Sequence, residues 1–256
     1  MLQFKKEESI AYITLDRPDK YNSVNQGLAF AIQDAFKECA EDNSIRAIVL
    51  SGTGKAFCAG QDLGEIVDPN GPVLEDIVSK HYNPIVMQIR EIEVPVIAAV
   101  NGVAAGAGAN IALACDVVIA KESASFLQAF SKIGLIPDSG GTYTLPRLIG
   151  QARASALMML GEKVPAKEAM EMGMIYKAVA DDDFDDYVDK IAKKLANMPT
   201  KGLAYTKKLL NLSAKNNMEE QLAMEHEYQS IAGATADYKE GVNAFLEKRK
   251  PVFKGE

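Results

Sequence analysis

From Val94 to Ala120 the chain reads VPVIAAVNGVAAGAGANIALACDVVIA, a run interrupted only by Asn101, Asn110 and Asp116 among its strongly apolar or small residues. A stretch this long and apolar has two homes: a membrane, or the interior of a large α/β core. A GxxxG from Gly102 to Gly106 would suit a membrane helix. The three polar residues and the lack of flanking basic anchors argue against a span. The segment therefore predicts a strand, a glycine turn, a buried helix and a second strand.

The rest of the chain fits around that unit. Ser9–Leu15 alternates as a strand does, and Leu2–Lys6 pairs with it as a hairpin around Glu7–Glu8. Asn25 opens a helix through Glu41 with Leu28, Ile32, Ala35, Phe36 and Cys39 on one face. Arg46–Ser51, Val96–Val100 and Val117–Ala120 read as short buried strands, with helical segments near 73–92 and 106–114. Strands alternating with helices imply an α/β core. Beyond Gly140 nearly everything is helical, interrupted only by a candidate strand at 175–179. A boundary is expected near Met198–Pro199, giving a core of 1–198 and a Lys-rich helical C-terminal region of 199–256. With 256 residues, 48% of them hydrophobic, the chain suffices for one large domain and an appendage.

Charge and cysteine usage exclude several function classes. A net charge of -7 argues against a nucleic-acid surface. Cys39, Cys58 and Cys115 have no CxxC spacing, and only His81 and His226 could assist them, so no zinc cluster or other metal site is expected. Buried reduced thiols imply a cytoplasmic setting. Charges interrupt MLQFKKEESIAYITL before any apolar core develops, so no signal peptide is expected there.

Two glycine-rich segments carry the chemistry: Ser51–Leu63 (SGTGKAFCAGQDL) and Asn101–Asn110 (NGVAAGAGAN). Each follows a strand and precedes a helix, where unpaired N–H groups point outward and the helix dipole favours negative charge. Neither is a phosphate loop or a dinucleotide fingerprint, because the spacing and the hydroxyl after lysine are missing. Glycine and alanine allow a ligand atom to approach the backbone. Tight packing turns would use the same residues.

Taken in order, AFCAGQDL, PVIAAVNGVAAGAGANIALACD and GLIPDSGGTYTLPRLIG resemble the crotonase superfamily of acyl-CoA enzymes. Arg17-Pro18 with Asn22 and the terminal FLEKRKPVFK also match, so the resemblance covers essentially the whole chain. It implies a spiral of ββα turns with a helical C-terminal region, assembled as a homotrimer or a dimer of trimers. It implies an acyl-CoA thioester substrate, with coenzyme A part of the substrate and no separate cofactor. The superfamily's oxyanion hole falls on the Gln61 and Ala107 backbone amides, flanked by Ala59, Gly60, Gly106 and Gly108, with Asp62 and Leu63 at its edge. Asp62 and Asp116 are expected to pair with nearby backbone amides.

The resemblance also locates the acids. Hydratases of the superfamily use two glutamates, whose positions here carry Asn110 and Phe130. An amide and a phenyl ring cannot exchange a proton with water, which disfavours a two-glutamate hydratase. Asp138, in IPDSGG, stands where several isomerases and dehalogenases of the superfamily carry their working carboxylate. The residues alone leave a second reading, because Asp before Ser-Gly-Gly-Thr suits a helix N-cap. Capping would lower its pKa, whereas desolvation by Phe130, Leu135 and Ile136 would raise it. FSKIGLIPDSGGTYTLPR is most similar to a subgroup that isomerises the ring epoxide of phenylacetyl-CoA and 3,4-unsaturated acyl-CoAs. That implies an isomerase with a single carboxylate, Asp138. Asn110 would hold a substrate oxygen or a water, or be a buried, satisfied amide. Arg17 would lie near the adenine end, and Lys250, with Lys248, Arg249 and Lys254, would reach CoA phosphates unless the cluster is a solvated helix face. Glu65 is a candidate second acid. His81 and Tyr82 fall on a helix that would cover the acyl pocket, where packing explains both.

Overall fold

The computed structural model describes residues 1–256. Its strands are β1 (Leu2–Glu7), β2 (Ile10–Leu15), β3 (Ala47–Gly52), β4 (Ala56–Cys58), β5 (Val96–Val100), β6 (Val103–Ala105), β7 (Val117–Lys121), β8 (Ser125–Leu127), β9 (Lys163–Pro165) and β10 (Lys177–Val179). They form one sheet in the order β1-β2-β3-β5-β7-β10 and a smaller one in the order β4-β6-β8-β9. Only the β1–β2 hairpin and the β8–β9 edge are antiparallel. Each successive turn of the chain lays one strand in the large sheet and one in the small sheet before helix follows: β3 then β4, β5 then β6, β7 then β8. This is the expected spiral of ββα turns.

The helices are α1 (Gln26–Glu41), α2 (Leu63–Ile66), α3 (Leu74–Asp76), α4 (Asn83–Glu91), α5 (Ala107–Ala114), α6 (Gly141–Ile149), α7 (Gln151–Leu160), α8 (Ala166–Glu171), α9 (Phe184–Ala196), α10 (Thr200–Ser213), α11 (Met218–Gly233) and α12 (Ala236–Leu246). Asn25 caps α1 by accepting from Leu28 N at 3.0 Å. The helix expected over 73–92 is present from residue 74 to residue 91, but its middle, Ile77–Tyr82, is wound as a π-helix.

The large sheet is buried on both faces, which is why its parallel strands read as continuous apolar runs. Successive residues point to opposite sides. Ile48, Leu50, Val96, Ala98 and Val118 enter the main core between the sheets and the inner helices. Ala47, Val49, Ile97, Ala99 and Ile119 face outward, where Phe184, Val188, Ala192 and Ala196 of α9 cover them. The strands β4, β6, β8 and β9 were not expected from the sequence. Each has three residues, too few to establish a period of two.

Side-chain contacts bridge the boundary expected at 198–199. Lys207 of α10 reaches into the core to Asp116 at 2.7 Å and to the Val94 carbonyl at 3.2 Å. Arg90 Nε donates to Asn211 at 3.0 Å. Thus α10 is bound into the spiral, and only α11 and α12 stand away from it. Helix α11 has no buried residue, and α12 buries Asp237 and Ala244. No helix is long and apolar enough to cross a membrane.

Candidate active site

The two glycine segments interlock. At Gly60 φ is +90°, and a Cβ there would lie 3.0 Å from the Ala105 carbonyl oxygen and 3.5 Å from Ala107 N. A Cβ on Gly108 would overlap the Cys58 carbonyl oxygen and side chain. Small residues therefore let the β4–α2 loop press against the N-terminus of α5. The orientation of both peptide groups is fixed. Gly60 O accepts from Val24 N at 2.7 Å, and in a planar trans peptide this turns the Gln61 N–H the opposite way. Gly106 O accepts from Asn110 N at 3.2 Å, so the Ala107 N–H points out of the N-terminus of α5. Neither N–H is taken up by the turn, loop or cap hydrogen bonds of the chain. Two preorganised donors of this kind can stabilise a developing oxyanion, each by about 3–4 kcal/mol.

Asp138 hangs from the same helix. Asn110, one turn into α5, donates through Nδ2 to the Asp138 carbonyl oxygen at 2.9 Å, and Gly141 N donates to it at 2.8 Å. The capping reading of Asp138 does not hold. Ser139 (φ +50°) and Gly140 (φ +74°) are both left-handed, Gly140 becomes the N-cap of α6, and no side chain caps that helix. The Asp138 carboxylate instead accepts from Ser139 Oγ at 2.9 Å. Burial raises its pKa above the ordinary value, outweighing the Ser139 hydrogen bond, which lowers it. Ile136 does not supply that burial, being 80% exposed. Phe130 is buried, with its ring against Gly106 beside the Ala107 amide.

Several expected site residues have their polar atoms engaged within the protein. Asn110 Oδ1 accepts from Gln128 Nε2 at 2.7 Å while Nδ2 serves the Asp138 carbonyl, so Asn110 is a buried amide bonded at both ends that holds the Asp138 main chain. Arg17 pairs with Asp62 at 2.7 Å and donates to the Ser23 carbonyl oxygen, and Asp62 caps α2 through Gly64 N. That pair braces the GQDL edge, and the Gly64 N–H bond to Asp62 is the backbone pairing expected of it. Leu63 beside it is exposed. Glu65 uses one oxygen on Gln26 N and the other on Gln61 Nε2, each at 2.8 Å, and so is not a free second acid.

Asp116 accepts from the Val96 backbone amide at 2.8 Å as expected, and adds ion pairs to Lys207 and Arg90. Arg249 is held by Glu240 at 2.6 and 2.8 Å and by Glu247. Lys250 is exposed and forms no ion pair. His81 is buried with its ring edge-on to Phe30, as packing implied. Tyr82 is also buried, but its hydroxyl donates to Gln61 Oε1 at 3.0 Å. The sequence reading missed the parts played by Gln128, Ser139 and Tyr82. No local pattern marks them, since each acts through a contact the fold creates.

Comparison with known proteins gives a consistent result. A family model described as enoyl-CoA hydratase/isomerase matches residues 5–256. The chain is 47% identical over 252 residues to the 1,2-epoxyphenylacetyl-CoA isomerase of Escherichia coli (strain K12), covering 97% of this chain and 96% of that protein. It is 46% identical over 254 residues to a probable enoyl-CoA hydratase of Rhodobacter capsulatus, covering 99% and 98%. Among solved structures, a putative enoyl-CoA hydratase/isomerase from Mycobacterium abscessus superposes with a TM-score of 0.94 at 37% identity, over the full length of both chains.

Proposed function

Because the chain belongs to the enoyl-CoA hydratase/isomerase family, the crotonase superfamily, we propose that it is an acyl-CoA isomerase in which Asp138 is the single proton carrier. Its substrates are the ring epoxide of phenylacetyl-CoA, 3-enoyl-CoA thioesters, or both. The thioester carbonyl sits between the Gln61 and Ala107 N–H groups, flanked by Ala59, Gly60, Gly106 and Gly108. The Asp138 carboxylate removes a proton from C2, and the enolate oxygen rests on the two donors. For a 3-enoyl chain the protonated carboxyl returns the proton at C4, and the double bond moves into conjugation. For the epoxide, the same deprotonation drives ring expansion to an oxepin, and the protonated carboxyl returns the proton to a ring carbon, so that the product is an isomer of the substrate.

One observation carries this reading: a buried carboxyl with a raised pKa is tethered through its main chain to α5, one turn from Ala107. Hydration of a double bond by the superfamily's usual route needs two carboxylates. The hydratase name of the Rhodobacter relative favours the rival reading, in which water adds to a 2-enoyl thioester. Turnover of epoxyphenylacetyl-, 3-enoyl-, 2-enoyl- and dienoyl-CoA decides between them. Hydration of the 2-enoyl thioester as the main activity would overturn the isomerase reading.

Coenzyme A is part of the substrate, and Lys250 with Lys248 and Lys254 is suited to its phosphates. Lys250→Ala should then raise KM for every thioester and leave kcat unchanged. Tyr238, Val242, Phe245 and Leu246 leave an apolar face exposed on α12. That exposure supports a homotrimer or dimer of trimers, which light scattering would measure. The buried, unbridged thiols agree with a cytoplasmic setting.

A further inference from the structure

An oxyanion hole made of main-chain N–H has no evident need for glutamine at position 61, yet the Gln61 side chain is bonded at both ends. Its Oε1 accepts from the Tyr82 hydroxyl at 3.0 Å, and its Nε2 donates to Glu65 Oε2 at 2.8 Å. Glu65 Oε1 in turn accepts from Gln26 N, the first residue of α1, at 2.8 Å. The chain Tyr82–Gln61–Glu65–Gln26 therefore ties the hole to the π-helical turn on one side and to α1 on the other. Tyr82 is 1% exposed, so its hydroxyl has no water to fall back on.

From this geometry we infer that Tyr82 is a positioning residue for the oxyanion hole, acting through the Gln61 carboxamide. The Gly60 carbonyl fixes which way the Gln61 N–H points. Asp62 N donates to the Val24 carbonyl oxygen at 2.9 Å, so the main chain pins this segment to Val24, and the Gln61 side chain adds a second anchor through Tyr82 and Glu65. A donor displaced by a few tenths of an ångström is mismatched to the oxyanion while ground-state binding is scarcely affected. The same tie links the π-helical turn Ile77–Tyr82 to the hole, so a shift of that turn would move the donor.

This inference rests on the proposed thioester site, and its test uses a readout independent of turnover. The infrared carbonyl stretch of carbonyl-labelled phenylacetyl-CoA is recorded free and bound to wild type, Tyr82→Phe, Gln61→Leu and the double variant. kcat and KM are measured on whichever thioester of the panel reacts, and thermal unfolding checks that each variant folds. Wild type should shift the stretch to lower wavenumber, and Tyr82→Phe should give back part of that shift. Its kcat should fall about fivefold to tenfold, the loss of one neutral hydrogen bond, with KM within about twofold. Gln61→Leu should do the same, and the double variant no more than either alone.

An unchanged stretch and kcat in Tyr82→Phe would overturn the inference. So would effects of the two substitutions that multiply, and Gln61→Leu serves as the test by itself if Tyr82→Phe fails to fold. A wild-type shift without isomerase turnover overturns the substrate reading alone. The Tyr82 comparison then still supports or sinks this one.

Discussion

Asn110 holds Asp138 by its main chain, with Nδ2 donating to the Asp138 carbonyl oxygen at 2.9 Å and Gln128 Nε2 fixing the other end of the amide at 2.7 Å. Gly141 makes room for this, since a Cβ there would overlap the Asn110 side chain. Asn110→Ala should leave the Gln128 amide and half of the Asp138 carbonyl unpaired, costing about 1–3 kcal/mol in a urea melt. kcat should fall with it while KM stays close to wild type. A variant with unchanged kcat would show that Asp138 needs no such tether.

Asp138→Asn keeps the shape and removes the proposed base. Isomerisation should fall by at least about a hundredfold, the lower range for a positioned acid–base group. Acyl-CoA affinity measured by calorimetry should stay near normal. Turnover above roughly a tenth of wild type would remove Asp138 from the mechanism.

The raised pKa of Asp138 has consequences for both activity and stability. As the proposed base, Asp138 works only when ionised, so the acid limb of kcat/KM should lie above the ordinary aspartate pKa of about 3.9. Between that value and the raised one, the folded chain binds more protons than the unfolded chain. Its stability contribution is therefore full below the ordinary pKa and is lost as pH rises through the folded one. Asp138→Asn should accordingly be more stable than wild type at pH 7, with the gap closing towards pH 4 in urea melts. A variant that is less stable at pH 7 would contradict the burial argument.

Gly108 meets the Cys58 carbonyl too closely to accept a methyl group. Gly108→Ala should push the loop carrying Gln61 away from Ala107 and abolish turnover. Because backbone cannot yield as a flexible side chain does, the midpoint of thermal unfolding should fall as well. Normal activity in Gly108→Ala would mean that the two loops are not in register with the chemistry.

Lys207 and Asp116 form a mostly buried ion pair joining α10 to the spiral. Lys207→Met should cost about 3 kcal/mol, the low end for breaking such a pair, because Asp116 retains Arg90 and the Val96 amide. Turnover at low temperature should be unaffected, since neither residue touches the candidate site. An equally stable variant would show α10 to be held by apolar contacts alone.

The sequence by itself determined the parts of this protein that depend on local repetition and residue chemistry. The apolar runs announced strands buried on both faces, the 3.6-residue period announced α1, and the glycine segments announced backbone available to a ligand. Position by position it also showed that Asn110 and Phe130 cannot be acids. Only the tertiary structure decided what the polar side chains do. Asp138 could have capped α6, and does not because Ser139 and Gly140 turn left-handed, leaving its carbonyl to Asn110, 28 residues away. Arg17 meets Asp62 across 45 residues, and Tyr82 meets Gln61 across 21. Backbone propensity is set by near neighbours and leaves a trace in the sequence. A buried hydrogen bond is set by which distant group the packing brings within 3 Å, and no local pattern records it.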